Sequence, residues 1–292
     1  MTARRIRGVP QRSPGAGAIA WVVALLSLAG ASRIYATEVE ATGGGADARQ
    51  KARGSAAEQP LPQKGDARRD GVWVALLGDQ GAVGFAPTNK NILICGSVRM
   101  ETLSGKLRTT PGNRIVAVRE KLDYSASNNL LSQDRFGDCE VVLEFLLGKD
   151  SNSGIKLQER YEIQLYDSHG VAEPSATDCG GVYPRWVFKQ GGGIRYVDKG
   201  VPPLCNAALP AGEWQELRVV FRAPRFNSEG EKTANAIFVK VTLNGKVVQQ
   251  DVELESPTGN ASSPLAEVPA APLYFQMDHG PVAFRAIRVR TL

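Results

Sequence analysis

From Gly71 onward, apolar and polar residues alternate with a period of two along most of the chain, the pattern of strands that bury one face. In Tyr161-Glu162-Ile163-Gln164-Leu165-Tyr166-Asp167 the apolar Ile163 and Leu165 point one way, so Glu162, Gln164 and Tyr166 share the other. Ser153, Ile155 and Leu157 alternate in the same way against Asn152, Lys156 and Gln158, with Gly154 where a side chain is absent. Two such strands side by side present a carboxylate, two amides, a phenol and an ammonium on one surface. That set suits a hydroxyl-rich ligand, because amides and carboxylates pair with sugar hydroxyls in bidentate fashion.

The remaining runs read as strands as well. GVWVALLG, ILICGSV, GKLRTT, NRIVAVREKL, DCEVVLEFLL and EWQELRVVF are short and bounded by Gly, Pro and Asn. Between Ala236 and Leu254, Ile237, Val239, Val241 and Leu243 alternate, Asn244-Gly245 interrupts, and Val248, Gln250, Val252 and Leu254 continue. Asn-Gly between alternating runs predicts a type I′ hairpin. Residues 178–211 and 255–272 hold no sustained period and read as long loops, and loops of that size in compact domains often carry function. LYFQMDHG and VAFRAIRVRTL close the chain. No helical period lasts two turns beyond residue 40, so residues 71–292 are expected to form one all-β domain, an antiparallel β-sandwich.

The N-terminal region changes the charge picture. Met1 to Arg12 carries Arg4, Arg5, Arg7 and Arg12 without an acid, and the apolar stretch Ala18 to Ala31 is short for a bilayer span. Residues 1–36 therefore read as a secretory signal peptide in preference to a membrane anchor, cut after Ala31 or Ala36. Residues 37–70 are rich in Ala, Gly, Gln and charge, and read as a disordered linker. The chain's 35 basic residues against 30 acids fall to 30 against 30 once Arg4, Arg5, Arg7, Arg12 and Arg33 leave with the leader. Bulk charge then gives no ground for nucleic-acid or membrane binding by the mature chain. An exported location, periplasmic or secreted, is expected.

Export bears on the four cysteines, Cys95, Cys139, Cys179 and Cys205, which can pair in three ways. The expected bridge is Cys179–Cys205, both inside the long irregular region, with Cys95 and Cys139 reduced or paired with each other. None has CxxC spacing, and His169 and His279 do not stand at finger-like spacing from them.

Phe136-Gly137-Asp138 leading into EVVLEF, then NSGI, YEIQLYDS, Gly-Gly-Val-Tyr at 180–183, Glu213-Trp214, the Leu243-Asn244-Gly245 turn and QMDHGPVAFRAIRVR together resemble the 3-keto-disaccharide hydrolase domain family, over residues 131–292. The resemblance implies a concanavalin A-like jelly roll whose concave sheet carries a carbohydrate site. It also implies cleavage of glycosides already oxidised at C3. The C3 ketone acidifies the C2 proton, a base removes it, the C1 substituent leaves, and water adds back. Such a route needs a base, a group that polarises the ketone, and an acid for the leaving oxygen.

Glu162 and His279 are the catalytic candidates, His279 because its ordinary pKa lies near working pH. Asn152, Gln164 and Gln276 are amides suited to sugar hydroxyls, and Tyr183 and Trp186 could stack on a sugar ring. Trp214 reads as packing and His169 as a solvent-facing turn residue. No cofactor is required, although Glu162, Asp167 and His279 offer a conceivable ligand set for a divalent metal. Two functions follow: a hydrolase or lyase acting on oxidised di- or oligosaccharides, or a non-catalytic carbohydrate-binding module on the same fold. What separates them is whether Glu162 and His279 converge.

Overall fold

The computed structural model describes residues 71–86 and 89–292, so the expected leader and linker lie outside the described residues. The strands in chain order are β1 (Val74–Leu77), β2 (Leu93–Met100), β3 (Leu107–Val118), β4 (Leu130–Phe136), β5 (Cys139–Leu147), β6 (Asn152–Leu157), β7 (Tyr161–Tyr166), β8 (Arg185–Phe188) and β9 (Ile194–Tyr196). They continue with β10 (Trp214–Arg222), β11 (Arg225–Phe226), β12 (Lys232–Ala234), β13 (Ala236–Leu243), β14 (Lys246–Leu254), β15 (Gly259–Asn260), β16 (Ala271–Gln276) and β17 (Val282–Thr291). Among the described residues helix is confined to one 3-10 turn, Ala126–Asn128.

Two antiparallel sheets hold the core between them. The larger runs β14-β13-β10-β5-β17-β3-β2, with β1 paired to β17, and the smaller runs β4-β16-β6-β7. Ile155, Leu157, Tyr161, Ile163, Leu165, Leu273, Phe275 and Met277 from the smaller sheet meet Leu143, Phe145, Leu217, Val219, Phe221 and Phe284 from the larger. Aromatic edges join the layers: Phe275 meets Phe284 at 5.4 Å between centroids, and Tyr161 meets Phe221 at 5.5 Å. Each fully buried aromatic contributes about 1.5–3 kcal/mol through its removal from water, so this interior fixes which face of β6, β7 and β16 is left outside.

The expected hairpin forms. Asn244 and Gly245 connect β13 to β14 with φ of 51° and 78°, the doubly left-handed geometry of a type I′ turn. The parity read for β13 changes, however. Ala236, Phe238, Val241 and Leu243 are its buried positions, while Ile237 and Val239 are half-buried, because bulges shift the pairing with its neighbours near Val220/Phe221 and Val241/Thr242. GKLRTT and NRIVAV, read as two strands, are one, β3. Pro111 and Gly112 do not end it because they sit in a wide irregularity opposite Gly96, where β2 pairs resume at Ser97 with Thr110 after Cys95 with Ile115. Residues 178–211 are not wholly irregular either. Val182 bridges Ile163 and Val201, which extends the smaller sheet beyond β7, and β8 and β9 form a hairpin joined in parallel by β15.

All four thiols are free. The expected Cys179–Cys205 bridge is not formed: Cys179 is buried and receives a desolvation that pushes its thiol up to about 12, and the Cys205 thiol lies 3.9 Å from the Val247 carbonyl. Cys95 and Cys139 are likewise buried and unpaired as a disulfide.

Candidate active site

The outer face of the smaller sheet is where the chemistry gathers. With Tyr161, Ile163 and Leu165 in the core, Glu162, Gln164 and Tyr166 of β7 face outward, opposite Lys156, Gly154 and Asn152 of β6. Across β6, Tyr274 and Gln276 of β16 pair with Lys156 and Gly154. One row therefore reads Tyr274, Lys156, Glu162, and the next Gln276, Gly154, Gln164.

The turn that delivers Glu162 is strained. Gln158 and Glu159 both have positive φ, 56° and 62°, without being glycine. The strain is held by buried anchoring: the Gln158 amide donates to the Phe136 and Pro269 carbonyls at 3.1 and 3.0 Å, and the Arg160 guanidinium donates to the Gln158 and Ala266 carbonyls. The Glu162 carboxylate then folds over Gly154. A Cβ there would lie 2.4 Å from Glu162 Oε1, so the glycine is the space that the carboxylate occupies. Lys156 Nζ stands 3.3 Å from Glu162 Oε2 and 5.5 Å from the centre of the Tyr274 ring, with side-chain exposures of 23% for the lysine and 5% for the glutamate. This is a nearly dry ion pair. Beside it, the Gln164 amide donates to Asn152 Oδ1 at 3.0 Å.

His279 completes the site from the end of β16. Its Nδ1 bonds Asp278 Oδ1, and the other Asp278 oxygen accepts from the Ser125 backbone N–H at 3.2 Å and the Asn129 amide at 3.1 Å. Asn129 in turn accepts the Met277 N–H at 2.6 Å. The His279 ring stacks on Tyr124 at 4.2 Å. The segment lies directly against β6, since a Cβ on Gly280 would approach Ser151 Cα and the Asn152 nitrogen within 2.8 and 2.9 Å. The Asp278–His279 segment and Glu162 thus both approach Tyr274, whose phenol feels the Asp278 and the Glu162 carboxylates.

Two tyrosines tie the ends together electrostatically. Burial pushes the Tyr274 phenol up, and the Asp278 and Glu162 charges add to it; Tyr183 is raised by burial, by its hydroxyl contact with Tyr196 at 3.3 Å, and by Glu162. Both phenols stay protonated across the working pH range and can donate.

The sequence matches a known family. The model of the 3-keto-alpha-glucoside-1,2-lyase-like domain aligns with residues 96–290. The chain belongs to that family. The match begins well before the residues that carry the resemblance in sequence, and takes in most of β2 and all of β3. Among solved structures the chain is similar to three candidate glycosyl hydrolases of Parabacteroides distasonis ATCC 8503 seen in crystals. One is 20% identical, covers 83% of this chain and 100% of its own, and superposes with a TM-score of 0.48. The others are 17% identical over 76% and 100% with 0.45, and 14% identical over 75% and 94% with 0.47. No curated protein matches the sequence.

Of the residues expected in the site, Asn152, Glu162, Gln164 and Gln276 share the face of the smaller sheet that points away from the core, His279 follows beyond the end of β16, and Tyr183 stands at the sheet's edge. Trp186 flanks it: its indole nitrogen and Lys156 Nζ come within 4.0 and 3.9 Å of the position a Cβ on Gly259 would take. The expected metal set is not assembled. Among the described residues no three His, Cys, Asp or Glu side chains are grouped as ligands, and Asp167 is engaged elsewhere, accepting the Asp150 N–H at 2.9 Å where β7 ends. Trp214 packs as expected, with Arg285 4.0 Å above its ring, and exposed His169 bonds the Ala208 carbonyl. Sequence reasoning missed Asp278, Asn129, Tyr124 and Tyr274. The parity of Tyr274, Gln276 and Asp278 was the available signal for two of them.

Proposed function

We propose that this chain cleaves the glycosidic bond of sugars oxidised at C3 by removing the C2 proton and expelling the C1 substituent. The observation that supports it best is the convergence of an aspartate-backed histidine and a desolvated Lys–Glu pair on one amide-lined face. In the tautomer that donates Nδ1–H to Asp278, His279 keeps Nε2 free to accept the C2 proton, and Asp278 stabilises the imidazolium that forms. Lys156, held by Glu162 in a dry setting, is suited to the enolate oxygen that develops at C3. A neutral phenol, Tyr274 or Tyr183, can protonate the departing C1 oxygen. Asn152, Gln164 and Gln276 would hold the remaining hydroxyls.

Such a route asks only that the substrate bring its own ketone, which agrees with the family's description and distinguishes it from paired-carboxylate hydrolysis. The leading arginines and apolar stretch of residues 1–31 support an exported enzyme, and the family's description an oxidised glycoside as its substrate. A non-catalytic carbohydrate-binding module would have no use for a buried aspartate behind a histidine, so the convergence favours catalysis. The test is product release from a 3-keto-glucoside and from the same glucoside unoxidised. Wild-type enzyme should cleave the first alone, and His279→Ala and Glu162→Gln should each slow it by about a hundredfold or more. Equal inertness toward both sugars, with either of them bound, would leave the binding module as the better reading.

A further inference from the structure

The β8–β9 hairpin carries an apolar face that the proposed chemistry leaves unused. Its register pairs Trp186 with Tyr196 and Phe188 with Ile194, and strand alternation puts these four side chains on one side, with Arg185, Val187 and Arg195 on the other. Trp186 and Phe188 meet edge to face at 5.0 Å. The face is open to water: Phe188 is 65% exposed, Tyr196 45% and Ile194 37%. Large apolar side chains gathered and left exposed in this way mark a binding surface.

Its position says what it would bind. The inner end of the face joins the sugar site twice. Trp186 shares the space around Gly259 with Lys156, and Tyr196 touches Tyr183, which senses the Glu162 charge. The outer end, Phe188 and Ile194, offers no hydrogen-bonding side chain on this face. The Tyr196 hydroxyl is already directed at that of Tyr183. A second sugar placed there would exchange its hydration for hydrocarbon without partners for its hydroxyls. A flat apolar group loses nothing by the same move and gains ring-to-ring contact.

We infer that the hairpin face is an aglycone subsite, which takes a planar aromatic or similarly apolar leaving group attached to the sugar held on the smaller sheet. The inference rests on the reading of the polar face as the sugar site, and is independent of the lyase chemistry. Substrates would then be aromatic glycosides in preference to disaccharides.

Unoxidised phenyl glucoside and methyl glucoside serve as probes, because neither need react. Isothermal titration of the purified protein should show phenyl glucoside binding at least about tenfold more tightly than methyl glucoside. Phe188→Ala combined with Ile194→Ala should abolish that preference without altering the affinity for methyl glucoside; both positions are exposed, so the melting temperature should not move. Equal affinity for the two glucosides, no detectable binding of either, or a preference that survives the double substitution would overturn the subsite. A retained phenyl preference in a protein that fails to cleave 3-keto-glucosides would refute the lyase proposal and leave the subsite standing.

Discussion

Gly154→Ala is the substitution for which the site and the fold should respond most differently. Gly154 lies in β6 with an ordinary extended backbone, so an alanine there meets no conformational penalty and restricts the unfolded chain, an effect worth about 0.4–1 kcal/mol in favour of the native state. Against this, the new methyl would sit 2.4 Å from Glu162 Oε1 and 3.1 Å from both Cδ and Cγ. All three are atoms of one flexible side chain, with no backbone among them, so the carboxylate swings aside and the sheet is undisturbed. Swinging aside parts Glu162 from Lys156, now 3.3 Å away, and moves both charges by an ångström or more. Losing a largely desolvated pair costs more than the alanine returns, so a net loss of about 1–2 kcal/mol is expected. A displacement of that size in a reacting constellation costs on the order of a hundredfold in rate. Thermal unfolding and turnover of a 3-keto-glucoside, measured on the same preparation, decide it. Unimpaired turnover would show that the carboxylate over Gly154 has no part in the reaction, and loss of folding would show that the strand cannot accept the methyl.

Two further outcomes follow from the structure. A thiol reagent applied to native protein should modify at most Cys205, since Cys95, Cys139 and Cys179 are buried, and four thiols should react once the chain is denatured without reductant; a native protein with two thiols missing after denaturation would restore the disulfide. Stability should also fall in acid partly through Asp138. Burial alone would raise its carboxyl, but the Arg225 guanidinium at 2.8 and 2.5 Å and the Ala223 N–H at 2.8 Å outweigh burial and hold it below the usual 3.8. A depressed carboxylate stabilises the fold above its unfolded pKa, and that contribution drains away as pH drops below about 4 toward the folded value. Asp138→Asn should therefore melt lower than wild type at neutral pH, with a gap that narrows in acid; a gap constant down to pH 2 would contradict the assignment.

Much of this was legible in the chain. Ile163 and Leu165 fixed the parity that turned Glu162 and Gln164 to the face away from the core, and Asn244-Gly245 announced its turn, because both are local signals of period and backbone preference. What stayed hidden depends on distance in space. Glu162 and Lys156 were readable on one surface, but the near-complete burial of Glu162 comes from neighbours far along the chain, among them Thr258, which accepts the Glu162 N–H. Asn129 and Tyr124 lie in a segment with no period and meet Asp278 and His279 across about 150 residues, a contact that no spacing rule foretells. The β8–β9 hairpin hid behind Gly191-Gly192-Gly193, which reads as loop, and the free thiols behind a connectivity that sequence leaves undetermined.

The central claim is that bond cleavage begins with loss of the C2 proton to a base on this face. Turnover of a 3-keto-glucoside carried out in deuterated water, with the sugar product followed by mass spectrometry and proton NMR, tests it directly. The account predicts that the original C2 proton is lost in every turnover, so that the product is the unsaturated ketone or, after hydration, a 3-keto sugar bearing one solvent deuterium at C2, and that His279→Ala slows exchange and cleavage together. A cleaved product that keeps its original C2 proton would contradict it, since the bond would then have broken by direct displacement at C1.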